Sequence, residues 1–306
     1  MLARGKALSL KRLGVSAALA ALAFVPAPAA AAVQGIGLSP TSRNIEVAPG
    51  DSVSGEITVI NDGDGDVVYK VYATDYRVES EEYTGVFENA TAQANVSPVT
   101  WLSLPAGTFT ARSRQQTKFK YTLKVPATAT VGGHYGAIFI ETVPPPATAG
   151  ALIARVERIG SLMYIAVKGD LQRRGSVTGL SVPALQHVGP VQAALLLKND
   201  GNVHFRAEGT AQLASPFGDI GRPLPFKGEV LPGTTRKFDI KLPATTPIGL
   251  YRVTATVKYL DRTEIISHWT LLMPQVTFYI LSGTLLLLVS LLAFKLVSRA
   301  KRRHRS

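Results

Sequence analysis

The chain has 306 residues, with 33 Lys and Arg against 21 Asp and Glu and a formal net charge of +12. Four of the basic residues lie in the first 32 positions and six in the last twelve, so the stretch between them carries 23 against all 21 acids. A near-neutral body lacks the broad basic surface that nucleic-acid binding needs. The absence of cysteine excludes disulfides, thiol catalysis and Cys-ligated metal, so an exported body has to be held by its apolar core.

Residues 1–32 read as a signal peptide. Arg4, Lys6, Lys11 and Arg12 form a basic start, Leu13–Val25 is apolar, and Ala30-Ala31-Ala32 supplies the small-x-small pattern of a cleavage site, after Ala32 or after Ala29. The apolar stretch is too short to span a bilayer.

From Val33 onward the pattern is β. Val53, Ile57 and Val59 lead into Asn61-Asp62-Gly63, and Val191, Ala193, Leu195 and Leu197 lead into Asn199-Asp200-Gly201. Both read as a strand followed by a hairpin turn. Phe119, Tyr121, Leu123 and Val125 alternate with Lys118, Lys120, Thr122 and Lys124, and Phe238, Ile240 and Leu242 alternate with Lys237, Asp239 and Lys241. Each of these runs enters nearly the same phrase, VPATATVGGHY at Val125–Tyr135 and LPATTPIGLY at Leu242–Tyr251. The chain is therefore expected to fold as two tandem Ig-like β-sandwiches, residues 33–170 and 171–273. Each phrase is expected to move the chain between sheets at a corner built from Pro126, Gly132, Gly133 and Tyr135, and from Pro243, Gly249 and Tyr251, with each tyrosine bonding back to its own corner. The echoes are offset by 138 residues at the asparagines and 117 at the prolines, which places about 21 extra residues of the first copy between Tyr76 and Pro105. Ile159–Val167 reads as the last strand of the first sandwich, and the prolines 144–146 as part of a long hairpin loop before it.

Val276–Phe294 is nineteen residues without a charge, roughly 28 Å as a helix. Residues 274–294 are expected to span a membrane, with Trp269 and Tyr279 at the outer interface and the basic tail, 295–306, in the cytoplasm. The body is then extracytoplasmic, on a single-pass cell-membrane protein. LPGTT at Leu231–Thr235 has the wrong last residue, and lies too far upstream, for a wall-sorting signal.

Catalytic patterns are missing. The five histidines, His134, His187, His204, His268 and His304, show no metal-ligand spacing, and there is no HExxH or GxSxG. Glu79, Glu81 and Glu82 read as a solvated acidic loop rather than a glycosidase pair. Asp62, Asp64 and Asp66 have the spacing of a calcium loop, but the twelfth position is Ala73 and the flanks are strands. No enzyme activity, cofactor or metal is expected.

The segments Ala48–Asp62 (APGDSVSGEITVIND), Thr100–Pro105 (TWLSLP) and Lys124–Phe139 (KVPATATVGGHYGAIF), together with the C-terminal helix and basic tail, resemble the WxL-interacting protein family of bacterial surface proteins. The match is best over Val33–Asp170. The resemblance implies a first sandwich that associates with peptidoglycan and a second that binds host or surface partners. The expected function is a non-catalytic, membrane-anchored surface protein whose outer sandwich associates with cell-wall polymer or with a surface protein. Trp101, Tyr76, Tyr83, Phe87 and His134 are its candidate contact residues, since aromatic faces stack on sugars and insertions on rigid sandwiches carry recognition. The alternative is a chaperone-like protein that acts by strand complementation of surface subunits. An open edge strand in the first sandwich separates the two readings.

Overall fold

The computed structural model describes residues 35–88, 93–144, 156–187, 189–244 and 248–303. The expected signal peptide and its cleavage site, most of the proline loop and the last three residues of the tail lie outside the described residues.

The first half forms ten strands: β1 (Ile36–Ser39), β2 (Ser42–Val47), β3 (Ser52–Asn61), β4 (Val67–Glu79), β5 (Thr84–Glu88), β6 (Leu102–Ser103), β7 (Thr108–Ala111), β8 (Gln115–Lys124), β9 (Gly132–Thr142) and β10 (Arg158–Val167). One sheet has the order β1-β3-β8-β6; the facing sheet has the order β2-β10-β9-β4-β5, with β7 also on β4. Ile57, Val59, Leu123, Ile138, Met163 and Ile165 are fully buried between them. β10 pairs antiparallel with β9 and parallel with β2, so Ile159–Val167 does end this unit. The second half forms eight more strands: β11 (Gly175–Ser181), β12 (Leu185–Gln186), β13 (Val191–Asn199), β14 (Phe205–Ser215), β15 (Gly218–Val230), β16 (Thr235–Leu242), β17 (Gly249–Tyr259) and β18 (Arg262–Leu272). They make the sheets β11-β13-β16 and β12-β18-β17-β14-β15 around a separate core that includes Leu195, Leu197, Leu213, Val253 and Val257. Helix α1 (Gln275–Arg303) follows directly, and its window Gln275–Leu296 is apolar, unburied and long enough to cross a membrane.

The repeated phrases do join sheets. The first connects β8 to β9 and the second β16 to β17, each pair lying in facing sheets. The asparagine echoes were expected to be hairpin turns, and the structure corrects this: β3 and β4, like β13 and β14, lie in different sheets. A hairpin would need them paired. Instead each asparagine is a buried knot at an inter-sheet crossing. Asn61 Oδ1 accepts from the Gly63 N–H at 3.0 Å, and its Nδ2 donates to Gly65 O at 2.8 Å and Ala111 O at 2.9 Å. Asn199 repeats the pattern with the Gly201 N–H at 2.8 Å, Val203 O at 2.9 Å and Val230 O at 2.8 Å. Both residues are 0% exposed. The acids of the first turn are used locally, Asp66 accepting from the Ser113 N–H and Asp64 pairing with Arg114. Among the described residues no cluster of metal-binding side chains occurs.

An amide is required at both knots, because the turn N–H needs an acceptor and the two carbonyls need donors. Asn199→Ala takes the side-chain partner from a half-buried N–H and two buried carbonyls and is expected to cost about 2–4 kcal/mol, read as a lowered urea midpoint of the detergent-solubilised chain.

Candidate functional site at the junction of the sandwiches

The outer face of the sheet containing β9 and β10 is not left to solvent. Alternation on β4, β9 and β10 sends Tyr76, Tyr135, Phe139, Leu162 and Tyr164 outward, and Phe87 on β5 joins them. Tyr76 stacks on Phe87 with centroids 5.3 Å apart, and Phe87, Tyr76 and Tyr135 meet Phe139, Tyr164 and Tyr164 edge-on at 5.0, 6.3 and 6.0 Å respectively. Leu231 of the second sandwich packs onto this layer. The β4–β5 hairpin reaches further across. At its tip Ser80 and Tyr83 hold φ of 62° and 60°, a left-handed conformation that costs roughly 1 kcal/mol for such residues. Contacts with the other sandwich offset that cost. The Tyr83 hydroxyl accepts from the Leu231 N–H at 2.7 Å and meets Thr234 Oγ1 at 2.5 Å, Arg236 lies 4.6 Å over its ring, and the Lys237 N–H donates to Glu81 O at 2.8 Å.

The corner residues take part as well. Gly133 and Gly249 sit beneath the rings of Tyr135 and Tyr251, where a Cβ would collide with the first ring and crowd the second. Tyr251 is buried in the second core. Tyr135 was expected to bond back to its own corner; its hydroxyl instead crosses to the second sandwich and accepts from the His204 N–H at 3.0 Å. Burial raises the Tyr135 phenol well above its ordinary range. Gly132 has a φ of +125° and lies so close to Asn202 O that a Cβ would stand 2.7 Å from it. The Gly133 N–H donates to that same oxygen at 2.8 Å. Asn202 also accepts from the Gln172 N–H at 2.7 Å and donates to Asp170 O at 3.1 Å. The segment around Asp170 is thus pinned by the loop after the second asparagine knot. Pro126 and Pro243 follow β8 and β16 at the two crossovers.

The candidate contact residues therefore have internal partners. Tyr76, Tyr83 and Phe87 come together at the junction. Trp101 and His134 lie elsewhere, inside the first sandwich, with rings 4.7 Å apart. Trp101 is 3% exposed and donates from Nε1 to Ala94 O at 2.6 Å; both His134 nitrogens face carbonyl oxygens, Val96 O at 2.7 Å and Thr130 O at 2.8 Å. Sequence reading missed Tyr164, Asn202, His204 and Leu231. The signal for Tyr164 was present, since SLMYIAV is apolar without alternation, the mark of a strand buried on both faces.

Beside the contact layer lies a cleft of about 580 Å³. Asn44, Ile45 and Glu46 of β2 form one wall, and Arg206, Glu229 and Asp261 of the second sandwich the other, with Arg173 and His204 between. Asn44 Nδ2 donates to Glu229 Oε1 at 3.0 Å, while Glu229 Oε2 is buried without a hydrogen-bond partner among the described residues. Burial, with a smaller contribution from Arg173, pushes His204 down to about 4, so this imidazole is neutral at physiological pH.

The chain matches no protein-family model, and no curated protein is similar to it in sequence. It is similar in outline to solved fimbrial chaperones. The class 5 fimbriae chaperone CfaA is 11% identical with a TM-score of 0.38, over 78% of this chain and 100% of that one. The E. coli chaperone DraB is 14% identical with a TM-score of 0.38, over 77% and 98%, and the Pseudomonas aeruginosa CupB2 chaperone 14% with 0.35, over 76% and 98%. A likeness this loose carries no functional argument.

Two outcomes test the junction. Tyr83→Phe leaves the Leu231 N–H without its acceptor and is expected to cost about 1–3 kcal/mol, with faster amide exchange at Leu231. His204 is held neutral in the folded state and takes a proton at an ordinary pKa when unfolded, so the unfolded state binds more protons between pH 6.5 and 4. Stability is full above that window and falls as pH drops through it, by up to about 3 kcal/mol. His204→Gln is expected to flatten this slope in denaturation curves at pH 7 and pH 4.5.

Proposed function

We propose that this chain is a non-catalytic protein, tethered by α1 with its body outside the cytoplasm, that holds an extended segment of a surface protein along the edge of β2. In this reading residues 33–170 and 171–273 are two domains that act together, in the manner of a chaperone. The observation that carries it is the open edge of β2 beside the cleft. Among the described residues β2 pairs only with β10, and Asn44–Glu46 line the space. The Leu162 N–H donates to Thr41 O and the Lys168 N–H to Val47 O. In a strand successive residues direct their backbone groups to opposite sides. Residues 43, 45 and 47 therefore bond to β10, while Ser42, Asn44 and Glu46 present N–H and C=O groups along the free edge.

Two other edges are blunted. β15 carries Pro223 and Pro225, and the unpaired stretch of β8 carries Lys118 and Lys120, devices that discourage strand pairing. β2 has neither, and it faces the second sandwich across the cleft of about 580 Å³. Backbone pairing supplies affinity in such a mode, and the charged walls supply selectivity. The resemblance of Ala48–Asp62 and Lys124–Phe139 to WxL-interacting proteins supports a place at the cell surface. For Trp101, Tyr76, Tyr83 or Phe87 to stack on wall polymer, each would first have to leave the core or the junction.

The test places a photo-reactive residue at Asp261 in the full chain in its own membrane and looks for crosslinked surface proteins. Glu46→Pro removes one outward donor and spares the β10 ladder. It is expected to reduce crosslinking at least about tenfold with stability changed by less than about 1 kcal/mol, whereas Ile45→Pro breaks the ladder and destabilises the fold. A chain that captures no protein through the cleft, yet pellets with purified cell wall, would sink the proposal in favour of wall binding.

A further inference from the structure

The β14–β15 hairpin ends in Ser215-Pro216-Phe217-Gly218, and Phe217 is 99% exposed. An aromatic ring in that position does nothing for the fold. The tip is nevertheless built to hold it: Ser215 Oγ accepts from the Phe217 N–H at 3.1 Å and lies 3.2 Å from Gly218 O, with Gly218 at a φ of +135°. The register locates this tip. β14 and β18 are both antiparallel to β17, so they run the same way, and Ala214, Arg252 and Trp269 lie at one level across the sheet. Ser215 pairs with Gly218, so Pro216 and Phe217 make the turn about one residue beyond the Ser215 level, which is that of Thr270. Phe217 therefore sits at about the level of Leu271, two to three strand spacings or ~10–15 Å to the side. α1 starts four residues after Leu271, at Gln275, a drop of roughly 13 Å.

Other apolar side chains share this end. Leu250 is 47% exposed and Trp269 49%, on the outer face beside Arg252, whose guanidinium lies 5.7 Å from the Trp269 ring. Lys241 is exposed at the same end. Arg252 and Lys241 outnumber Asp219 there, a balance suited to anionic headgroups.

We infer that this end of the second sandwich is a second membrane contact, with Phe217 and Leu250 seated in the headgroup layer of the same bilayer that α1 crosses. The inference rests on the reading of α1 as a membrane span. If the hydrocarbon begins near Val276, the layer above it is about 5–8 Å deep, the depth at which the Phe217 ring arrives with a tilt of the body. Amphipathic and aromatic side chains partition into that layer. The contact fixes how the body stands on the membrane, which one helix alone leaves free.

The test uses the full chain, one copy per lipid nanodisc, carrying Trp269→Phe with or without Phe217→Trp, in discs with and without brominated lipid. Trp101 is buried in the first sandwich and serves as the unquenched background. Quenching by about half that appears only with Phe217→Trp is expected. Phe217→Trp fluorescence untouched by bromine, in a chain that stays with the membrane at alkaline pH, overturns this contact while leaving the span intact. A chain extracted by alkali overturns the span and the contact together.

Discussion

The β2-β10-β9-β4-β5 sheet has two apolar faces, and one sandwich can cover only one of them. Its inner face closes against β1-β3-β8-β6 around Ile57, Leu123 and Ile138. Its outer face carries the rings of Tyr76, Phe87, Tyr135, Phe139 and Tyr164, and exposing such a surface would cost several kcal/mol at ~25 cal/mol per Å². The second sandwich covers part of that face with Leu231, and Arg158 lies 4.1 Å over the Phe139 ring. Much else follows from this burial. The β4–β5 hairpin leans across, a hydroxyl replaces a within-corner bond, and Gly132 and Gly201 remain bare so that backbones can touch. At Gly201 a Cβ would stand 2.0 Å from Gln172 O. The two units are packed together rather than strung on a linker.

One pattern repeats through the architecture, and the differences between its two copies make the junction. The two asparagine knots are the same in every bond, and the two phrases cross between sheets in the same way. The surroundings differ. In the first copy Tyr135 turns outward to the neighbour, while in the second Tyr251 turns inward to its own core. The loop after the second knot, Asn202 to His204, has become the clasp that meets the first copy's corner. The same corner thus serves as a joint in one copy and as packing in the other.

Much of this was legible in the residues. Period-two alternation gave β8 and β16, the repeated phrase marked the sheet crossings, and the apolar run after Met273 marked α1. The asparagine knots were visible but misjudged, because Asn-Asp-Gly is also a common hairpin signal and sequence does not say whether an amide is buried. Tyr76, Tyr83 and Phe87 were singled out together, and they do act together. What sequence could not supply was the identity of the surface they meet, since Leu231 and Thr234 lie about 150 positions away. The cleft was invisible for the same reason: Asn44 and Glu229 are 185 residues apart.

The strands of the second sandwich also set a distance. Phe205 opens β14 at the cleft, and Ser215 closes it at the end from which α1 departs. Eleven residues at ~3.3 Å each make a post of about 35 Å. Where α1 crosses a bilayer and β14 stands along its normal, the open edge of β2 is held some 35 Å from the lipid, and a segment that pairs there, as proposed, needs that much reach.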